Sequence, residues 1–226
     1  YVGDPINAVR VFNEKEVDEL SFFDIDASIY NKDPDYRLIE RLANQSMMPL
    51  CYGGGVKTVE QAQRIFSLGI EKIALSSAVI INPNLITQIS DRVGSQSMIV
   101  VLDVKKKLFG GYEVYINNGK KATGINPFKF VEQAQRLGAG EIVINSIDRD
   151  GLMNGYDLDL IKKVRDKITL PMTVLGGAGS LDDIKKVIDE HGVIGVAAGS
   201  LFVFKGHYKA VLINYPNLEQ KQYLNT

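Results

Sequence analysis

The sequence predicts a (β/α)8 barrel, the TIM-barrel architecture, made of two repeated half-barrels within one domain spanning residues 1–226. Three observations carry this reading. Short apolar runs alternate with amphipathic segments along the chain. A pattern of acids, glycines and small residues occurs twice in the same order. Each glycine cluster in that pattern directly follows an apolar run, where a parallel strand would end.

The predicted strands are Glu19–Asp26, Met48–Gly53, Lys72–Ser77, Met98–Lys105, Glu141–Asp148, Pro171–Gly176 and Gly195–Ser200. Val, Ile, Leu and Phe occupy both alternating faces of these runs, as expected of parallel strands covered on both sides. Between them the apolar period lengthens to that of a helix. Ala62, Ile65 and Phe66 share one face of Glu60–Leu68, which stops at Gly69. Phe130, Ala134 and Leu137 do the same in Asn126–Leu137, before Gly138. Ser180 caps Leu181–Glu190, and Asp4 with Pro5 opens a helix near the start of the chain. The segment Lys106–Thr123 interrupts the alternation. Its Tyr112–Asn117 alternation and Asn118-Gly119 turn predict a β-hairpin, a lid or wall for the end of the barrel that carries active sites.

The repeat fixes the architecture. Phe23-Asp24-Ile25-Asp26, Gly53-Gly54-Gly55 and Ser76-Ser77 match Ile147-Asp148-Arg149-Asp150, Gly176-Gly177-Ala178-Gly179 and Gly199-Ser200. Asp24 and Gly53 are 29 residues apart, Asp148 and Gly176 are 28, and both glycine-to-small-residue spacings are 23. The half-barrels span about 1–97 and 98–226. Seven strands are counted where the repeat demands eight. The expectation is that the first strand is missing, and that it carries an acid matching Asp103.

Composition narrows the function. A net charge of −1 provides no global field for nucleic acid or an anionic membrane. No apolar run reaches membrane-span length and no signal peptide is visible. The single Cys51 excludes an intrachain disulfide and fits a reducing cytoplasm. His191 and His207 lie far from other plausible ligands, so no metal or other cofactor is expected.

The glycine clusters offer backbone amides and helix starts to an anion. Ser76, Ser77, Gly199 and Ser200 can complete two phosphate cradles with hydroxyl and amide donors. Two cradles across one barrel mouth imply a ligand with a phosphate at each end. Asp24, Asp26, Asp103, Asp148 and Asp150 stand at strand ends, where barrels keep catalytic groups. Asp103 follows Ile99-Val100-Val101-Leu102, and burial there would keep it protonated as a general acid. Asp24 and Asp148 read equally well as helix caps or as partners of Arg149 or Lys105. Glu19, Lys72 and Glu141 begin alternate strands and so share a layer; taken alone, they read as solvent-facing charges.

Together these residues resemble the cyclase subunit of imidazole glycerol phosphate synthase along essentially the whole chain, without that family's first strand. The most specific matches are Ser146-Ile147-Asp148-Arg149-Asp150-Gly151 and Gly176-Gly177-Ala178-Gly179. Gly3-Asp4-Pro5, Asp24-Ile25-Asp26-Ala27-Ser28, Gly53-Gly54-Gly55 and Gly119-Lys120-Lys121-Ala122-Thr123-Gly124 support them in collinear order. The resemblance implies histidine biosynthesis. A glutaminase subunit, joined as a heterodimer, releases ammonia that crosses the barrel. The ammonia converts a bis-phosphorylated formimino-aminoimidazole carboxamide ribotide to imidazole glycerol phosphate and aminoimidazole carboxamide ribotide. It also implies Asp103 as one of two acid-base aspartates. Gly53, Gly54, Gly55, Ser76, Ser77, Asp150, Gly176, Gly177, Gly179, Gly199 and Ser200 become substrate contacts, and Glu19, Lys72 and Glu141 an ammonia gate.

Three positions depart from the family pattern: Asp26 replaces a small hydroxyl residue, Ser76 an asparagine and Val203 a histidine. A paralogous branch that shares Asp24-Ile25-Asp26-Ala27 and Tyr1-Val2-Gly3-Asp4-Pro5 implies an alternative, ammonia channelling for an amidotransferase of surface-polysaccharide sugars. A phosphoribosyl isomerase on the same half-barrels is a further alternative, against which the charged layer argues.

Overall fold

The computed structural model describes residues 3–206 and 208–225. Tyr1, Val2, His207 and Thr226 lie outside them, and so do the Tyr1-Val2 part of the amino-terminal motif and the reading of His207 as a non-ligand. The chain runs α1 (Pro5–Glu14), β1 (Leu20–Phe23), α2 (Tyr36–Ala43), β2 (Leu50–Gly53), α3 (Val59–Ser67), β3 (Lys72–Leu75), α4 (Ser77–Ile81) and α5 (Asn84–Val93). It continues with β4 (Met98–Lys106), β5 (Tyr112–Ile116), β6 (Lys121–Ala122), α6 (Pro127–Arg136), β7 (Glu141–Ser146), α7 (Leu158–Arg165), β8 (Met172–Leu175) and α8 (Leu181–His191). It ends with β9 (Gly195–Val196), α9 (Ser200–Val203), β10 (Phe204–Lys205), β11 (Ala210–Val211) and α10 (Leu218–Leu224).

Seven parallel strands form one sheet in the order β1-β2-β3-β4-β7-β8-β9. The order follows the chain, so every helical crossover lies between neighbouring strands and all strand C-termini share one end. The strand periodicity of two sorts the side chains. Leu50, Tyr52, Ile73, Leu75, Val100, Leu102, Ile142, Ile144 and Val174 turn outward and form one core with helix residues such as Ile39, Ile65, Ile86 and Val164. Each such aliphatic burial stabilises by about 1.5–3 kcal/mol. The opposite face carries a separate cluster, Cys51, Ala74, Ile99, Val101 and Val143, with Leu175 packed on it. Curling of the sheet shows in Lys72, whose ammonium lies 2.8 Å from Glu19 and 3.2 Å from Glu141. Glu19 immediately precedes β1 and Glu141 opens β7, strands two places away on either side of β3, and flat spacing would set each about 10 Å off.

Helix ends follow local chemistry. The Asp4 carboxylate accepts from the Asn7 amide at 3.3 Å with Pro5 in the first turn, and Ser180 with Asp183 forms a reciprocal capping box on α8.

The strands stop earlier than the apolar runs suggest. Asp24 leaves β1 to accept the amides of Asp26 and Ala27, both at 3.1 Å. Ser77 and Ser200 begin the short helices α4 and α9 rather than ending strands. The expected hairpin is instead a three-stranded meander. β4 runs on to Lys106 and pairs antiparallel with β5, which pairs with β6. A second reversal at 107–111, with Gly110 and Gly111 at φ +90° and +79°, turns the chain before the Asn118-Gly119 turn. The meander is pinned as a wall. The Tyr112 hydroxyl reaches the Asp157 and Asp159 carboxylates at 3.1 and 3.0 Å, and the Asn117 amide donates to the Ser77 hydroxyl at 3.1 Å.

Candidate active site

The inner face of the sheet has three levels. At the strand starts Lys72 bridges Glu19 and Glu141, and the Thr173 hydroxyl donates to the other Glu141 oxygen at 2.6 Å. Burial opposes the Lys72 charge, but hydrogen bonding to Glu19 and attraction to Glu141 win and raise its pKa. Above this layer sits the apolar cluster. Burial there pushes the Cys51 thiol up to about 12, so it stays a thiol. At the strand ends a cavity of about 490 Å3 opens, within the range of small-molecule sites. Asn145 lies four positions beyond Glu141 on β7, about 13 Å along a strand.

Asp103 lines this cavity. Burial raises its carboxyl above the ordinary carboxylate value; Asn145, donating to Oδ1 at 2.9 Å, pulls against that, and the nearby Asp150 charge adds to it. Gly53, Gly54, Gly55, Ser76 and Ser77 form the facing wall. Gly54 has φ +128°, and a Cβ there would lie 2.6 Å from the Asp24 carbonyl, so the loop needs glycine. The Ser76 hydroxyl is buried without a hydrogen-bond partner among the described residues.

The second glycine cluster lies at the same end of the sheet, after β8. Gly176 and Gly177 have φ +91° and +119°, and the Gly177 carbonyl accepts from the Gly155 amide at 2.8 Å. The Gly179 amide donates to Asp183 Oδ2 at 3.0 Å and so serves the helix cap. Gly151 packs near the Ser200 hydroxyl.

Histidine biosynthesis protein is the family that matches residues 1–209. The chain belongs to that family. A Leptospira interrogans protein named "Putative imidazole glycerol phosphate synthase subunit HisF" is 60% identical over 225 residues, covering 99% of this chain and 89% of the relative. A Vibrio vulnificus protein, "Putative imidazole glycerol phosphate synthase subunit hisF3", is 58% identical over 98% of this chain and 86% of its own. The Natranaerobius thermophilus "Imidazole glycerol phosphate synthase subunit HisF" is 39% identical over 94% of this chain and 84% of its own. The histidine biosynthesis family is a TIM-barrel family, and the curled parallel sheet with alternating helices has that architecture.

Against this family frame, the cavity brings together Asp103, Asp150, Gly53, Gly54, Gly55, Ser76 and Ser77. Gly176, Gly177, Gly179, Gly199 and Ser200 flank it at the same end without lining it. Glu19, Lys72 and Glu141 meet at the opposite end. Asp24 turns its carboxylate to backbone amides, while Asp148 accepts from the Lys106 amide at 2.8 Å and lies 3.8 Å from the Lys105 ammonium. Arg149 is instead tied to the Gly155 carbonyl at 3.0 Å. Asp26 and Val203, two of the departures from the family pattern, do not line the cavity; Ser76, the third, does. The sequence reading missed Asn145, which has no motif of its own and whose one signal is its polarity inside the run Ile142–Ile147. Among the described residues no helix is long and apolar enough to cross a membrane, and no group of three His, Cys, Asp or Glu is placed to hold a metal ion.

Proposed function

We propose that the chain is the cyclase subunit of an imidazole glycerol phosphate synthase. It converts the bis-phosphorylated formimino-aminoimidazole carboxamide ribotide to imidazole glycerol phosphate and aminoimidazole carboxamide ribotide with ammonia, in histidine biosynthesis. The observation that carries this reading is Asp103, its carboxyl raised by burial, in the same cavity as a glycine-rich cradle. Attack by ammonia and departure of the leaving amine both need proton transfers beside the reacting carbon. A carboxyl held above the ordinary carboxylate range in such a position serves as general acid. Gly53–Gly55 with Ser76 and Ser77 holds one phosphate. Gly176, Gly177, Gly199 and Ser200 hold the other, with Asp150 at the ligand between them, while the Gly179 amide stays with Asp183. The two half-barrels, about 1–97 and 98–226, would each supply one cradle by duplication.

The ammonia source in this reading is a glutaminase subunit docked at the strand-start end. Glu19, Lys72 and Glu141 form its gate, and the apolar interior carries the neutral molecule upward. The relatives' names as synthase subunits support a partner of this kind, and a cytoplasmic complex follows from it. The test is turnover of the bis-phosphate ribotide with ammonium salts, and then with glutamine after adding a glutaminase subunit. Product in both assays supports the reading; no turnover with ammonium by the full-length protein removes it.

A further inference from the structure

We propose that Asn145 is the positioning residue for Asp103, and that its carboxamide oxygen receives an N–H or O–H donor of the bound ligand. The proposal rests on the reading of Asp103 as the proton-transfer group. Parallel pairing of β4 with β7 sets Asp103 directly beside Asn145. The Asn145 amide nitrogen donates to Asp103 Oδ1 at 2.9 Å, and both residues line the cavity. With Oδ1 held, the carboxyl cannot rotate freely, and the other oxygen is left to carry the exchanged proton.

The far end of the same amide is the second observation. Asn145 Oδ1 is buried without a hydrogen-bond partner among the described residues. A buried carbonyl oxygen left unpaired is costly, and such groups concentrate where a ligand completes them. Gly176 keeps the space beside it open, since a Cβ there would stand 2.9 Å from that oxygen. The amide thus ties the acid to the ligand: one end orients Asp103, the other meets a donor close to the reacting carbon. A hydroxyl-bearing sugar-phosphate chain or a secondary amine fits that acceptor; a bare carboxylate does not.

The experiment compares wild type, Asn145→Ala and the near-isosteric Asn145→Asp. In ammonium-driven turnover of the ribotide, Asn145→Ala should lower kcat by about tenfold to a hundredfold, the worth of one charge-assisted hydrogen bond. Its pH limb should move upward, because the donor that favours the Asp103 carboxylate is gone. Asn145→Asp should recover activity only at the acidic end, where the new carboxyl is protonated and can donate. Titrating the Asp103 carboxyl by carbon NMR in ligand-free wild type and Asn145→Ala reads the same bond without turnover. An upward shift in the variant is expected. An unchanged titration, or an unchanged kcat with an unchanged pH limb, overturns the proposal. If wild type fails to turn over the ribotide, the functional reading falls, and the titration still decides the Asn145–Asp103 bond. Should Asn145→Ala fail to fold, the Asn145→Asp pH profile and titration decide it.

Discussion

Replacing Asp103 with asparagine separates chemistry from binding and from folding. The substitution keeps the side-chain shape, so the Asn145 amide can still donate to an oxygen at position 103, as it does now at 2.9 Å. What disappears is the exchangeable proton. Loss of a positioned general acid costs about a hundredfold to ten-thousandfold in rate, roughly 3–5 kcal/mol of transition-state stabilisation. Ammonium-driven kcat should fall by that factor, while affinity for inorganic phosphate, which the proposed function assigns to the glycine loops, stays within about threefold of wild type. Stability should move the other way. Burial raises the Asp103 pKa in the folded chain, so the native state binds this proton more tightly than the unfolded state does. Ionising the carboxyl therefore destabilises the fold as pH rises from the unfolded pKa through the folded one, and the penalty persists above it. Asp103→Asn removes the penalty. Its melting temperature should equal or exceed that of wild type at pH 8, and the difference should shrink below the carboxylate range. Turnover within tenfold of wild type, or a clear loss of thermal stability at pH 8, would refute the reasoning.

Other perturbations have equally definite outcomes. Lys72→Met leaves Glu19 and Glu141 facing each other, and its partly exposed ion pairs make the loss about 1 kcal/mol in urea denaturation at pH 7. Because the folded Lys72 pKa is raised from its usual 10.5, that contribution is complete below pH 10.5 and lost only as pH climbs through the folded value, so the gap between variant and wild type should close there. Cys51, with its thiol pushed up to about 12, should resist a thiol reagent at pH 8 for as long as the chain is folded and react at once in denaturant; prompt native labelling would contradict its burial. Gly177→Ala forces a side chain onto φ +119° and into the Gly155 carbonyl, costing about 1–3 kcal/mol of strain. Calorimetry should also show weaker phosphate binding, and an unaltered melting curve would refute the tight approach of the two loops.

Much of the architecture was legible because burial on two sides writes itself into parallel strands. The runs around Ile99–Leu102 and Ile142–Ile144 are apolar at successive positions, and the caps Asp4 and Ser180 announce the helices they start. The reversal at 107–111 was not legible. Lys106–Thr123 reads as an insertion after the strand, yet β4 continues to Lys106, where Glu113 and Tyr112 pair antiparallel with Lys105 and Lys106. The engagement of Gly179 was hidden for a related reason. Whether its amide faces a phosphate or the Asp183 carboxylate is settled by competition within three or four residues, which composition does not reveal. Glu19, Lys72 and Glu141 looked like ordinary strand-start charges. Their convergence depends on sheet curvature, a property of the whole strand order and not of any one segment.

The distribution of polarity along the inner face constrains what can pass through it. Between the Lys72 layer and Asp103 stand Cys51, Ala74, Ile99, Val101 and Val143, all buried. Among them the one ionisable group is a thiol held neutral at any ordinary pH. A cation entering this stretch would shed its hydration with no fixed anion to replace it, a cost of several kcal/mol even after relaxation. A small uncharged molecule meets no such barrier. The charged layer is then more than a plug. Lys72, with two carboxylates and Thr173 around it, is the last place where a charged nitrogen is solvated by protein before the apolar stretch begins. On the proposed ammonia route, selection for the neutral form would arise from the order of the levels along the strands, charge first and hydrocarbon second.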